Sequence, residues 1–137
     1  MKIFLDANVL VAVLNKEYPL FTYASRILSI TERKDFQVFT SPICLAISFY
    51  FAKKKSGSAL AAKKIALLAS HIRIASTNYE TVINTLNNKK ILDFEDGLEY
   101  NAALGSGCKT IITEDKGDYH FSEIEICNCQ EFIENYL

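Results

Sequence analysis

Short apolar runs alternate with longer stretches of helical periodicity along this chain. The first run, Ile3-Phe4-Leu5, ends at Asp6 and is followed by an apolar stretch from Val9 to Leu14. This pattern predicts a buried parallel strand followed by a helix, with Asn8 as the helix N-cap. Ligands of open α/β sheets bind at the carboxyl ends of the strands, so Asp6 is the first candidate for chemistry.

The same alternation continues to the C-terminus. The sequence predicts helices within Tyr18–Arg33, from Ser41-Pro42 to Ser56-Gly57-Ser58, over Ala59–Ser70, Tyr79–Leu86 and Asp93–Leu104, and from Gln130 onward; it predicts further strands at Phe36–Thr40, Ile72–Ala75, Thr110–Thr113 and Ile124–Cys127. Strands that alternate with helices favour a mostly parallel sheet covered on both faces. We therefore expect a single domain, residues 1–137, with a three-layer α/β/α sandwich fold.

The helix that begins after Ser41-Pro42 carries an apolar stripe. Its members follow the i, i+3, i+4, i+7, i+8 spacing and are Ile43, Ala46, Ile47, Tyr50 and Phe51. Such spacing predicts that this stripe is the face buried in the core.

Charge and hydropathy restrict the classes of function. The 137 residues carry a formal net charge of −1, which argues against nucleic acid contacting the whole surface. Local contacts to phosphates remain open for the lysines at 53–55, 63–64 and 89–90, although short lysine runs also occur as solvated helix ends.

No apolar stretch reaches the ~18 residues of a membrane span, and no signal sequence precedes Asp6, so we expect a cytoplasmic protein without membrane contact.

Few other side chains suggest chemistry. The four cysteines (Cys44, Cys108, Cys127 and Cys129) lack C-x-x-C spacing, which predicts reduced and buried thiols. His71 and His120 lie outside any motif, so neither is a strong candidate for a metal ligand. Tyr119 lies beside a predicted acidic edge, where it could either stack on a base or pack in the core.

Three acids are predicted to meet at one edge of the sheet. Asp6 and Asp115 follow predicted strands, and Asp96 lies in the first turn of the helix that begins near Asp93. Adjacent carboxylates repel each other unless a cation joins them, and hard oxygen ligands suit Mg²⁺ or Mn²⁺. Purely structural interpretations also exist, since Asp93 and Asp96 have the spacing of a helix cap and its partner, and Asp115 could begin a turn.

Three segments of the chain together resemble the PIN domain, a family of small metal-dependent ribonucleases. The segment Phe4-Leu5-Asp6-Ala7-Asn8-Val9-Leu10 is similar to the family's opening motif, and Asp93-Phe94-Glu95-Asp96-Gly97-Leu98 to its central motif. The closing motif resembles Ile111-Ile112-Thr113-Glu114-Asp115-Lys116-Gly117-Asp118-Tyr119. The resemblance extends from Met1 into the terminal helix.

The resemblance implies a function and a set of site residues. Asp6, Asp96 and Asp115 would hold Mg²⁺ or Mn²⁺, and Asn8 and Thr113 would orient ligands or substrate. Asp93, Glu95 and Asp118 would be supporting acids. The implied activity is endonucleolytic hydrolysis of RNA by a metal-activated water, and the implied role is the toxin of a toxin–antitoxin pair, with an antitoxin as protein partner and a homodimer as the assembly.

One departure from the family pattern concerns the helix after the second strand. The family usually carries a glutamate where this chain has Ile47. A divergent branch of the family, which this chain resembles, also lacks this acid. The departure leaves open a second interpretation, a PIN-like module that binds RNA or a protein without cleaving. A phosphatase of the haloacid-dehalogenase type is disfavoured, because Asn8 stands where its second aspartate would be needed.

Overall fold

The computed structural model describes all 137 residues, in an alternating order of strands and helices. The strands are β1 (Lys2–Leu5), β2 (Gln37–Thr40), β3 (Arg73–Ile74), β4 (Thr110–Ile112) and β5 (Glu125–Cys127). The helices are α1 (Ala7–Leu14), α2 (Leu20–Ser29), α3 (Pro42–Ser56), α4 (Ser58–His71), α5 (Tyr79–Asn87), α6 (Phe94–Gly105) and α7 (Cys129–Tyr136), with short 3₁₀ turns at Ile30–Glu32 and Lys116–Tyr119. The predicted elements are all present, and their ends agree within two residues, except that α2 ends four residues before Arg33.

The five strands form one parallel sheet in the order β3-β2-β1-β4-β5. The predicted α/β/α fold with a parallel central sheet is thus confirmed. The chain moves to one side of β1 for β2 and β3 and to the other side for β4 and β5, which makes the β1–β4 boundary the topological switch point. In such sheets the crevice at the switch point is the usual ligand site.

The core surrounds the central strand. Ile3, Phe4 and Leu5 of β1 are fully buried, as are Ile111 and Ile112 of β4. A strand buried on both faces has no solvent-facing side for polar residues, so polar and apolar residues do not alternate along it. For this reason β1 appears in the sequence as a continuous apolar run. No helix of the structure is both long and apolar enough to cross a membrane.

The predicted buried face of α3 is wrong for most of its residues, although Ile43 and Ile47 are partly buried and Ile47 packs against the core. Its buried residues are Cys44, Ser48 and Ala52, whereas Tyr50 and Phe51 are exposed. Small side chains on the inner face let α3 pack closely against α1 and α4. Cys44 is placed in the first turn of α3, where its thiol lies near Asp6 at the sheet edge.

The four cysteines are all buried and free, as predicted. Two lysines of the predicted phosphate-binding runs have structural partners instead. Lys55 and Lys64 donate to the backbone carbonyls of Asn15 and Leu14 at the C-terminal end of α1, where unpaired carbonyls and the helix dipole favour a cation.

Candidate active site

Asp6 connects the end of β1 to the start of α1. Its backbone N–H donates to the Ile112 carbonyl at 3.0 Å, which extends the pairing with β4 by one residue. Its Oδ1 accepts from the N–H of Ala7 at 2.8 Å, so Asp6 is the N-cap of α1. The prediction that Asn8 caps this helix is wrong, because the helix already begins at Ala7 and Asn8 lies within its first turn.

Thr113 joins three of the predicted site residues through one hydroxyl. Its Oγ1 donates to Asp6 Oδ2 at 2.8 Å and accepts from Asn8 Nδ2 at 3.0 Å and from the Asp115 N–H at 3.1 Å. A hydroxyl has one hydrogen and two lone pairs, so this group is fully used. The position and orientation of Asp6 are therefore tied to those of Asn8 and Asp115.

Asn8 fixes the other side of this network. Its Oδ1 accepts from the N–H of Glu114 at 3.1 Å, which assigns its amide nitrogen to the side of Thr113 and Asp115. That nitrogen donates to Asp115 Oδ2 at 3.2 Å. Asp115 is exposed, so its carboxylate is held at the mouth of the site rather than inside the core.

Asp96 lies near this network at the start of α6. Asp93 is the N-cap of that helix and accepts from the Asp96 N–H at 3.1 Å, which confirms the structural interpretation of Asp93. The Asp96 carboxylate itself has no hydrogen bond or ion pair. Partial burial and the neighbouring charges of Asp93, Asp118, Asp6 and Glu95 raise its pKa to about 7.

Glu99 is a site residue that the sequence interpretation missed. It is only 2 % exposed and lies one turn after Asp96 on α6. The Ser41 hydroxyl is 2.9 and 3.0 Å from its two carboxylate oxygens, and the Cys44 thiol also donates to it. The i, i+3 spacing from Asp96 could have revealed it, because residues three apart share a helix face.

Glu99, Cys44 and Asp6 form a compact buried group. Their potential ligand atoms all lie within 4.8 Å of one another, and Cys44 Sγ is 3.8 Å from Asp6 Oδ1. Burial raises the pKa of Glu99 to about 7, and burial together with the two nearby carboxylates raises the pKa of the Cys44 thiol well above its usual value. Burial also raises the pKa of Asp6, although Thr113, the Ala7 N–H and the nearby Tyr119 hydroxyl oppose this. Cys44 is therefore a neutral thiol that donates to Glu99.

Tyr119 closes the inner wall of the site. The residue is 2 % exposed, and its hydroxyl has no hydrogen-bond partner. Burial raises its pKa, as do the charges of Asp6 and Glu99. The core-packing interpretation of Tyr119 is confirmed, because the ring is inside the protein, 6.1 Å from the Phe121 ring, and so is not available to stack on a base.

No basic side chain neutralises these acids. The three ion pairs of the structure join Arg33 to Asp35, His71 to Glu32 and Lys116 to Glu131, all outside the site. Glu95 and Asp118 are exposed members of the same acidic region, close enough to affect the pKa of Asp96. The uncompensated negative charge at the switch point is the electrostatic environment that a divalent cation requires.

Comparison with known proteins agrees with this geometry. The family model described as PIN domain matches residues 2–117. The chain belongs to the PIN domain family. A ribonuclease VapC1 of Aquifex aeolicus (strain VF5) is 28% identical over 140 residues, covering 98% of this chain and 95% of the relative.

Two solved structures share the fold of this PIN domain. The VapBC2 structure of Rickettsia felis, bound to a DNA fragment from its promoter, matches with a TM-score of 0.73 and 18% identity, over 93% of this chain and 98% of the other. Mycobacterium tuberculosis VapC20, a sarcin-ricin loop cleaving toxin, matches with a TM-score of 0.67 and 16% identity, over 89% and 98% of the two chains.

Proposed function

We propose that this PIN domain is a metal-dependent endoribonuclease, the toxin of a toxin–antitoxin pair, which hydrolyses RNA phosphodiesters with Mg²⁺ or Mn²⁺. The observation that carries the proposal is that Asp6 lies close enough to Asp96 and to Asp115 for their charges to interact, while none of the three has a basic partner. The near full-length similarity to a ribonuclease VapC1 supports the same activity.

The donor set fits a hard divalent cation. Carboxylate oxygens are the ligands that Mg²⁺ and Mn²⁺ prefer, and the neutral Cys44 thiol is not competitive for them. Asp6, Asp96 and Asp115 would hold the ion. When bound, it would polarise the phosphodiester and lower the pKa of a water molecule.

The remaining residues would orient these carboxylates. Thr113 holds Oδ2 of Asp6, and Asn8 holds Oδ2 of Asp115, so both aspartates are positioned before a ligand binds. Asp93 begins the helix that carries Asp96. Exposed Glu95 and Asp118 add negative potential. Such supporting contacts commonly change metal affinity by about 10–100-fold, and the hydrolysis requires no protein nucleophile.

An antitoxin is the protein partner in this proposal. A peptide that enters the acidic site would need a basic side chain, because the carboxylates of the site have no counter-charge. A small upstream gene for a DNA-binding protein would support this role. The homodimer implied by the family resemblance remains a prediction that light scattering can test.

A binding module without catalysis is the second candidate, and Ile47 favours it, since the usual acid is absent there. The purified chain, incubated with Mn²⁺ and single-stranded RNA, distinguishes the two. We expect cleavage that EDTA abolishes and that falls by orders of magnitude in Asp6→Asn. RNA binding without cleavage, at any Mn²⁺ concentration, would favour the binding module and contradict the ribonuclease.

A further inference from the structure

Glu99 is an ionisable side chain that is almost completely buried and has no cationic partner. A buried carboxylate without a counter-charge costs free energy, so such groups occur where they have a ligand or a function. The helix α6 would accommodate an apolar residue here without that cost. The presence of an acid at position 99 therefore needs an explanation beyond packing.

The contacts of Glu99 orient its carboxylate toward Asp6. The Ser41 hydroxyl and the Cys44 thiol both donate to it from the first turn of α3. Ser41 is itself fixed as the N-cap of α3, since its Oγ accepts from the Cys44 N–H at 3.0 Å. Two donors use only part of the accepting capacity of a carboxylate, which has about four lone-pair sites.

The Tyr119 hydroxyl provides an independent observation at the same place. It is buried, makes no hydrogen bond of normal geometry, and lies close enough to Asp6 to lower the pKa of that carboxyl. A buried hydroxyl without a partner costs about 1–3 kcal/mol. A hydrated cation between the carboxylates of Asp6 and Glu99 would supply the missing partner.

We propose that Glu99 is a further ligand of the divalent cation, together with Asp6, and that Cys44 and Ser41 position it. The inference rests on the proposed metal-dependent function. It also explains how the site tolerates Ile47. Helical side chains point back toward the preceding turn, so a glutamate at 47 would reach the first turn of α3, where the Glu99 carboxylate now lies. The acid is thus supplied by α6 instead of α3.

Titration of the protein with Mn²⁺, followed by calorimetry, tests the assignment. Glu99→Gln keeps the size of the side chain and removes its charge, and we expect the dissociation constant to rise by at least about tenfold. The matched control is Glu17→Gln, an exposed glutamate beyond the far end of α1, which should bind Mn²⁺ like the wild type. Glu99→Asp retains the charge but shortens the side chain, which moves the carboxylate away from the site. This variant provides the same test if Glu99→Gln does not fold.

A second arm separates ligation from packing. If Glu99 is a ligand, the double variant Ile47→Glu with Glu99→Gln should recover most of the lost affinity, because a carboxylate again reaches the first turn of α3. If Glu99 only supports packing, the metal-free melting temperature should fall while the affinity for Mn²⁺ is unchanged, and this result would overturn the inference.

The outcome also distinguishes this inference from the proposed function. Wild-type protein that binds Mn²⁺ and cleaves RNA, with Glu99→Gln equal to it in both, contradicts the role of Glu99 alone. Wild-type protein that binds Mn²⁺ through Glu99 but cleaves no RNA contradicts the ribonuclease alone. No Mn²⁺ binding by the wild type contradicts both.

Discussion

The hydroxyl of Thr113 donates a 2.8 Å hydrogen bond to Asp6 across 107 positions of sequence. The contact exists because β1 and β4 are parallel neighbours that end at the same level, with Leu5 opposite Ile112. Each strand therefore delivers its next polar side chain to the same point. This hydrogen bond therefore links the pairing of β1 with β4 to the orientation of Asp6, a proposed metal ligand.

Thr113→Val should weaken both stability and metal binding. The valine leaves a partly buried carboxylate with one donor fewer, which we expect to cost about 1–3 kcal/mol of unfolding free energy and to raise the pKa of Asp6 further. The matched control is Thr110→Val at the other end of β4, which removes a 2.8 Å bond to Glu125. Urea unfolding and Mn²⁺ calorimetry should find lost affinity only in Thr113→Val, and equal affinity in both would contradict the role of Thr113.

Asp96→Asn should separate metal binding from metal-free stability. At ten times its dissociation constant, a metal that binds only the folded state stabilises by about 1.4 kcal/mol, a few degrees in melting temperature. This shift should shrink in the variant. The metal-free variant should be as stable as the wild type or more so at pH 8, because the ionised Asp96 is unfavourable there. A full metal-induced shift in Asp96→Asn would locate the ion elsewhere.

The sequence predicts the sheet and the positions of Asp6, Thr113 and Asp115 because backbone topology alone is needed for them. Short buried runs identify the strands, and parallel strands bring their carboxyl ends to one edge. The side chains that directly follow the strands must then be neighbours. These positions do not depend on how the helices pack.

Glu99 and Tyr119 could not be located in that way. The Glu99 carboxylate meets Ser41 and Cys44 through a tertiary contact between α6 and the start of α3, which joins residues 55 to 58 positions apart in sequence. In the sequence, Ser41 indicates only a helix cap and Cys44 only a buried thiol. The inner face of α3 was misassigned for a related reason, since its small residues Cys44, Ser48 and Ala52 give little hydropathy signal although they are the ones in close contact.

Gly97 sets the distance between α6 and α5, and with it the placement of Asp96 and Glu99. A Cβ at this position would lie 2.5 Å from Thr85 Cγ2 and 2.6 Å from Ile91 Cγ2. Gly97→Ala should therefore displace α6, with a loss of about 1–3 kcal/mol and weaker Mn²⁺ binding.

Gly105 provides the control for this prediction, because it ends the same helix and a Cβ there would meet nothing within 4 Å. Gly105→Ala should leave affinity unchanged and stability equal or slightly higher, since alanine is the better helix former. Thermal unfolding and calorimetry of the two variants check both expectations. If Gly97→Ala is as stable as Gly105→Ala, α5 and α6 accommodate the added Cβ without loss of stability, which contradicts the prediction.

The stability of the metal-free protein should decrease as pH rises from about 4.5 to about 7. Asp96 and Glu99 have pKa values raised to about 7 in the folded state, whereas unfolded carboxyls titrate near 4. Between these values the folded state binds more protons than the unfolded state, so the free energy of unfolding falls with pH and becomes level above about 7. The groups that influence the pKa of Glu99 are Cys44, Ser41, Asp6 and Glu95. None of them is a cation, so no counter-charge reverses this sign.

Melting temperatures measured in EDTA from pH 4.5 to 8 check the prediction. The double variant Asp96→Asn with Glu99→Gln should lose most of the decrease, because its two amides do not titrate. Saturating Mn²⁺ should oppose the trend in the wild type, since the ion binds the deprotonated carboxylates and its stabilisation grows with pH. A wild-type profile in EDTA that rises between pH 5 and 7 would mean that the acids are already compensated within the protein, and the electrostatic argument for a cation at the switch point would then fail.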